Sequence, residues 1–150
     1  MKHIITVFLI TIGLFAKGQG GCDVNALADT CKHHLKPFVY DASNAQHISL
    51  KSVPQEKEIN FPAFSGQHYR IIINLTSMPK GTQVAVYDQD ETRKKRKMLY
   101  TFSDPGGQLG TCDLESRTGR LFIDYSIPAA SPKLPPSGCA VVLFGYENSK

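Results

Sequence analysis

Four cysteines, a Ser65/His68 pair, three closely spaced acids and a run of five basic residues are the side chains of this 150-residue chain whose types and spacing could do chemistry. Ser65 and His68 stand three residues apart, within reach of nucleophile and base. No surrounding pattern supplies the acid that would orient the imidazole, so both read as hydrogen-bonding groups in a turn before a strand. The sequence contains no Gly-x-Ser-x-Gly elbow, no His-Glu-x-x-His, no phosphate-binding glycine loop, and no Cys-x-x-Cys or Cys-x-x-Cys-His. No catalytic residue and no cofactor is therefore assigned. Asp88, Asp90 and Glu91 form a weak calcium candidate. Counted from Asp88, the sixth place of an EF-hand loop holds Arg93 where glycine is needed, and the twelfth holds Leu99 where the bidentate glutamate belongs. The nearer reading is that these acids neutralise part of the adjoining basic run. Cys31 and His34, one helical turn apart, lack the second ligand pair of a structural zinc site. Asn74-Leu75-Thr76 matches a glycosylation sequon but falls within a predicted strand.

The cysteines, Cys22, Cys31, Cys112 and Cys139, read as two disulfides of an exported chain with no free thiol. If a helix begins near Val24, Cys22 and Cys31 are separated by roughly 12 Å of rise, beyond the reach of a disulfide. That favours long-range pairing of Cys31 with Cys139 and Cys22 with Cys112. The rival scheme, Cys22 with Cys31 and Cys112 with Cys139, requires the helix to begin later or break. Export is read from Lys2 and His3 ahead of an apolar run from Ile4 to Ala16, too short to cross a bilayer, with small residues at the ends of Ala16-Lys17-Gly18. Residues 1–18 are thus an expected signal peptide, leaving 132 residues from Gln19 and no transmembrane span in the mature chain, with cleavage a few residues later as the alternative. Lipidation of Cys22 is the competing reading. Gln19-Gly20-Gly21 lacks the aliphatic residue expected three places before a lipidated cysteine, and lipidation would strand an odd thiol.

The net charge of the whole chain is +4. Without residues 1–18 it falls to +2, and without Arg93, Lys94, Lys95, Arg96 and Lys97 it becomes −3. The basic character is therefore local, and nucleic acid is excluded as a partner for want of a basic surface. The run reads first as a solvated hairpin tip that discourages edge pairing, its replacement leaving the melting temperature nearly unchanged. The functional reading of the same five residues is contact with an anionic partner surface.

The elements that must position these groups begin with a helix. Asp23 is the expected N-cap, and Val24, Leu27, Cys31 and Leu35 share one face until Pro37, with His33 and His34 in the last turn against the helix dipole. Beyond Pro37 the apolar period changes to two. Tyr69, Ile71, Ile73 and Leu75 share a face, as do Leu121, Ile123, Tyr125 and Ile127. Further strands are expected at 38–41, 48–50, 58–64, 83–87, 99–102 and 109–114, and the unbroken apolar run Cys139–Phe144 is expected to be central. Four prolines between Pro128 and Gly138 make that segment a loop. About eight or nine short strands behind one N-terminal helix predict a mainly β protein, an antiparallel β-sandwich, with a small closed barrel as the alternative. The domain division is 1–18 signal peptide, 19–37 helical segment and 38–150 sandwich.

The strings Leu35–Asp41, Gly66–Arg70, Val86-Tyr87-Asp88, Lys94–Lys97, Ile123–Pro128 and Gly138–Tyr146 resemble a family of small exported proteins of Bacteroidota to which no activity is assigned. The resemblance spans nearly the whole mature chain and implies the envelope of a Gram-negative bacterium, periplasm or cell surface. It supplies no catalytic residues. A looser similarity, at fold level only, is to β-sandwich domains appended to secreted peptidases. The expected function is a non-catalytic envelope module that binds a protein or glycan through loops of a disulfide-braced sandwich. A small secreted hydrolase or ligand carrier with a site built from scattered residues is the alternative.

Overall fold

A computed structural model describes residues 22–103, 107, 109–134 and 136–148. The expected signal segment, and with it the cleavage site, lies outside them. Among the described residues, one helix, α1 (Val24–Lys32), precedes eight strands: β1 (Val39–Ser49), β2 (Gln55–Pro62), β3 (His68–Asn74), β4 (Gln83–Tyr87), β5 (Met98–Ser103), β6 (Leu109–Glu115), β7 (Arg120–Ile127) and β8 (Ser137–Tyr146). All pairings are antiparallel and make two four-stranded sheets, β1-β8-β3-β6 and β2-β7-β4-β5. Among the described strands, only β4 and β5 are joined as a hairpin within one sheet; every other pair of consecutive strands lies in opposite sheets. This strand order is that of an eight-stranded jelly roll.

Period-two alternation builds the core as expected. Tyr69, Ile71, Ile73 and Leu75 of the first sheet face Leu121, Ile123, Tyr125 and Ile127 of the second, all essentially excluded from water. The rings of Phe61 and Phe144 stack across the layers at 3.7 Å, with Tyr69 edge-on to Phe61. β8 is covered on both faces, which is why its sequence does not alternate. Ala140, Val142 and Phe144 enter the inter-sheet core, while Val141 and Leu143 lie with Ile72 beneath Cys31 and Leu35. The helical segment approaches so closely that a Cβ on Gly145 would stand 2.7 Å from a Leu35 methyl carbon.

Three expectations are corrected. The helix starts where predicted, with the Asp23 carboxylate accepting from the amides of Asn25 and Ala26, but it ends at Lys32. His33 caps it and His34 lies in the following turn, so neither occupies the last helical turn. The candidate strands 38–41 and 48–50 are one 11-residue edge strand, β1. The polar stretch between them hid this, because Asn44 and Gln46 oppose Val142 and Ala140 at the margin of the core.

The cysteine pairing is the third. Cys22 is bonded to Cys139, with Cα atoms 5.8 Å apart, and Cys31 and Cys112 are free, buried thiols. Cys31 packs under the helix on the outer face of the first sheet, whereas Cys112 pairs with the core residue Ile71 and so faces the inter-sheet side. A sheet separates them, and two disulfides cannot form. The sulfur of Cys22, the candidate for lipidation, is bonded to that of Cys139.

Candidate functional site

Crossing connections alternate between the two ends of a sandwich. One end gathers the loops 63–67, 88–97 and 116–119. The first and third are stitched together: Gly66 N donates to Ser116 O at 2.6 Å, Ser116 N to Gln67 O at 2.9 Å, and Ala63 N to Gly119 O at 3.1 Å. The Ser65 hydroxyl donates to Arg117 O, and the Tyr69 hydroxyl accepts from Phe64 N. These bonds fix the backbone of the turn and leave the Phe64 ring 76% exposed at its tip.

Loop 88–97 is equally built. Asp88 N donates to Lys97 O and Lys97 N donates back to the Asp88 carboxylate at 2.7 Å, closing the base. The Asp90 carboxylate accepts from the amide and hydroxyl of Thr92, which lower its pKa. Both acids thus cap turns of their own loop, and Glu91 donates its amide to the Glu58 carboxylate at 2.9 Å. Among the described residues, the structure does not bring Asp88, Asp90 and Glu91 together as three ligands.

Arg96 does not belong to a solvated tip, in contrast to the expectation for the run. Its guanidinium lies 2.7 Å from Asp124 Oδ2 and 3.5 Å from Glu58 Oε2, and 3.8 Å over the Tyr87 ring. Glu58 and Asp124 are directly opposed on β2 and β7, and only about a fifth of either side chain is exposed. Burial first, and the Asp124 charge after it, push the Glu58 pKa up. The loop is therefore pinned to the outer face of the second sheet by its one inward-facing cation. Arg93, Lys94, Lys95 and Lys97 remain exposed and make no ion pair among the described residues.

Between loops 88–97 and 116–119 lies an open cleft of about 540 Å³ lined by Asp88, Asp90, Arg93, Thr118, Arg120 and Phe122, among others. It shares Asp88 and Thr118 with a neighbouring hollow of about 280 Å³ that Lys97, Glu115 and Arg117 border. Arg117 and Arg120 add two further cations without an ion pair among the described residues. The arrangement presents exposed positive charges and three carboxylates around the cleft and its neighbouring hollow, with the exposed Phe64 ring on loop 63–67 at the same end of the sandwich. That suits recognition of a polar or anionic surface.

The remaining sequence candidates do not meet there. Ser65 bonds a backbone carbonyl, while His68 Nδ1 is 3.2 Å from Glu147 and Nε2 is 3.8 Å from Glu115, so serine and imidazole have separate partners. Cys31 is buried and His34 exposed. Desolvation pushes the Cys31 and Cys112 thiols up to about 11 and the Tyr125 phenol higher still, as expected of groups packed in the core. Sequence reasoning missed Phe64, which it placed at the end of a strand, and the Glu58–Asp124 anchor. The signal for the anchor was an acid at an outward position of two strands near a cationic loop. It also missed His47, which stands beside the disulfide.

No protein-family model matches the chain, and a comparison with curated proteins gives no match. The class defined by the structure is accordingly that of the fold, a disulfide-linked jelly-roll sandwich. No helix among the described residues is long and apolar enough to cross a membrane.

Proposed function

We propose that this chain is an exported, non-catalytic envelope module that binds a protein or glycan partner through the loops at one end of the sandwich. The observation that carries this reading is the gathering of Arg93, Lys97, Arg117 and Arg120 around the cleft and its neighbouring hollow, with Lys94 and Lys95 on the same loop 88–97, none in an ion pair among the described residues. Clustered like charges raise the local concentration of an anionic partner over about 8–10 Å at moderate salt, and the exposed Phe64 at the same end offers the apolar contact that charge alone does not provide. Anionic glycan of a Gram-negative envelope, or an acidic protein surface, has the required chemistry.

Export is supported by the signal-like pattern of residues 1–18, by the resemblance to exported Bacteroidota proteins, and by a disulfide of the kind that persists in oxidising compartments. Lectin domains share the jelly-roll fold, an analogy that favours glycan only at the level of architecture. The non-catalytic reading is supported by the separate partners of Ser65, which bonds a backbone carbonyl, and His68, which stands beside Glu147 and Glu115. Glu58 lies on an outer sheet face, and Cys31, Cys112 and Tyr125 are packed among apolar residues away from the cleft.

Site-specific photo-cross-linking in envelope preparations tests the proposal. A cross-linker at Gln89, which lines the cleft, or at Phe64, on loop 63–67 of the same end, is expected to give discrete adducts that added salt suppresses, whereas one at Lys133, at the opposite end, gives none. Identical adduct patterns from both ends would overturn it.

A further inference from the structure

The register of the first sheet sets His47 of β1 directly opposite Cys139 of β8, so the two side chains stand on the same outer face. Cys22 is two residues ahead of α1, which packs on that face, and its sulfur is joined to that of Cys139. The Nδ1 atom of His47 lies 3.3 Å from Cys139 Sγ. The two sulfurs and a His47 ring nitrogen all fall within 4.8 Å of one another. Imidazole at this distance serves no packing role, since His47 is exposed, and the partner-binding end of the sandwich makes no use of it.

The donor set is specific. Two thiolates and one imidazole are borderline-soft ligands that suit Zn²⁺ and not the oxygen-seeking Ca²⁺ or Mg²⁺. Tetrahedral zinc, with Zn–S of about 2.3 Å and Zn–N of about 2.0 Å, places its ligand atoms roughly 3.5–3.8 Å apart. The nitrogen-to-sulfur spacing is already close to that. Only the sulfurs must separate, and a 5.8 Å Cα separation, set by a β-strand on one side and a short N-terminal segment on the other, leaves room for it. The exposed side of His47 leaves a fourth position open to water.

We propose that Cys22, His47 and Cys139 form a thiol-gated zinc site, closed as the disulfide and open after reduction to one Zn²⁺ held by two thiolates and His47 Nδ1. The opening needs a dithiol reductant. Its first thiolate attacks the Cys22 sulfur, the less buried of the pair, forming a mixed disulfide and expelling the Cys139 thiolate, which takes up a proton. The reductant's second thiolate then attacks the mixed disulfide and releases Cys22. Two electrons pass from the dithiol, which becomes a disulfide, and Cys22 and Cys139 become thiols. Zn²⁺ displaces the two thiol protons. The N-terminal segment thus stays fastened to β8 in either state, by a covalent bond or through the metal. Cys31 and Cys112 are both buried, and neither belongs to the cluster of ligand atoms that Cys22, His47 and Cys139 form.

Anaerobic titration with Co²⁺, followed by Zn²⁺ competition, tests this on the protein reduced with a phosphine and desalted. Reduced wild type should bind one Co²⁺ per chain with a thiolate-to-cobalt charge-transfer band and tetrahedral d–d absorption, and Zn²⁺ should displace it. The oxidised protein should show neither band. His47→Ala should weaken Zn²⁺ binding about 10–100-fold or more, the loss seen when even an outer partner of a zinc ligand is removed. Cys22→Ser should abolish the charge-transfer band of the pair. Oxidised His47→Ala, altered at an exposed position, should melt like oxidised wild type and so control for folding. Absence of the charge-transfer band in reduced wild type, or His47→Ala binding Zn²⁺ as tightly as wild type, would overturn the proposal.

Discussion

Replacing Arg96 with methionine keeps the length of the side chain and removes the guanidinium that pins loop 88–97 to the second sheet. The loss has two parts. A charged hydrogen bond such as that to Asp124 at 2.7 Å contributes about 1.5–3 kcal/mol, and a cation over an aromatic ring, here Tyr87 at 3.8 Å, contributes about 0.5–2 kcal/mol. Methionine recovers part of the ring contact, and water entering the site screens the carboxylates left behind. A net loss of about 2 kcal/mol follows, which for a domain of this size lowers the melting temperature by about 8 °C. The removed charge also leaves Glu58 and Asp124 facing each other across β2 and β7, so Glu58→Gln in the same background should restore part of the loss. The sign of the pH effect follows from Glu58 in the wild type. Its pKa is raised above 4.5, so its stabilising contribution is full below 4.5 and is lost as pH rises through the folded value. Arg96→Met should steepen that decline. Scanning calorimetry across pH 4–8 is the assay, with exposed Lys95→Met as control. An Arg96→Met protein melting within about 2 °C of the Lys95→Met control would refute the anchoring role, since such a difference is below about 1 kcal/mol.

Further outcomes rest on the same reasoning. Arg70 donates to both Asp113 oxygens at 2.6 and 2.7 Å and to Lys36 O at 2.6 Å while lying over Phe38, so Arg70→Lys, which has no planar fork, should lower stability by about 1 kcal/mol in thermal melts. Its partner Asp113 has a pKa lowered chiefly by that hydrogen bond, and the associated stability is present above pH 3.8 and lost on acidification below it, as an acid titration with and without Arg70→Lys would register. Ile73→Asp and Val142→Asp each bury an unpaired carboxylate at a fully enclosed site and should abolish soluble expression, while exposed Lys133→Ser should match wild type. A thiol assay without reductant should find Cys31 and Cys112 unreactive in the native protein and two reactive thiols per chain after denaturation, and loss of the 117-residue cross-link through Cys22→Ser should cost about 2–5 kcal/mol.

What could be read from the sequence, and what could not, divides along a physical line. Strands buried on one face announce themselves by alternation, so β3 and β7 were legible residue by residue, and β8 was legible as central because both its faces are covered. β1 was not, because an edge strand carries polar side chains at inward positions, and Asn44 and Gln46 break the pattern that its ends begin. Cysteine pairing failed for a related reason. The helical face of Cys31 was read correctly, but the face of the sheet to which Cys112 points depends on the pairing of β3 with β6, a contact between strands distant in the chain. The basic run was visible as composition, yet the distinction between Arg96 and its four neighbours lies in two acids from other strands. Charge complementarity across a sandwich is tertiary information.

The most direct test of the central claim is the salt dependence of retention in the envelope fraction. Three forms are compared at low and physiological ionic strength: wild type, a variant with Arg93, Lys94, Lys95 and Lys97 replaced by serine and Arg96 kept, and a variant with Lys51, Lys80 and Lys133, on the connections of the opposite end, replaced by serine. The account predicts that wild type and the opposite-end variant are retained alike and released by salt, and that the cleft variant, folded and melting like wild type, is lost already at low salt. Equal retention of all three forms, or equal loss from both variants, would contradict it.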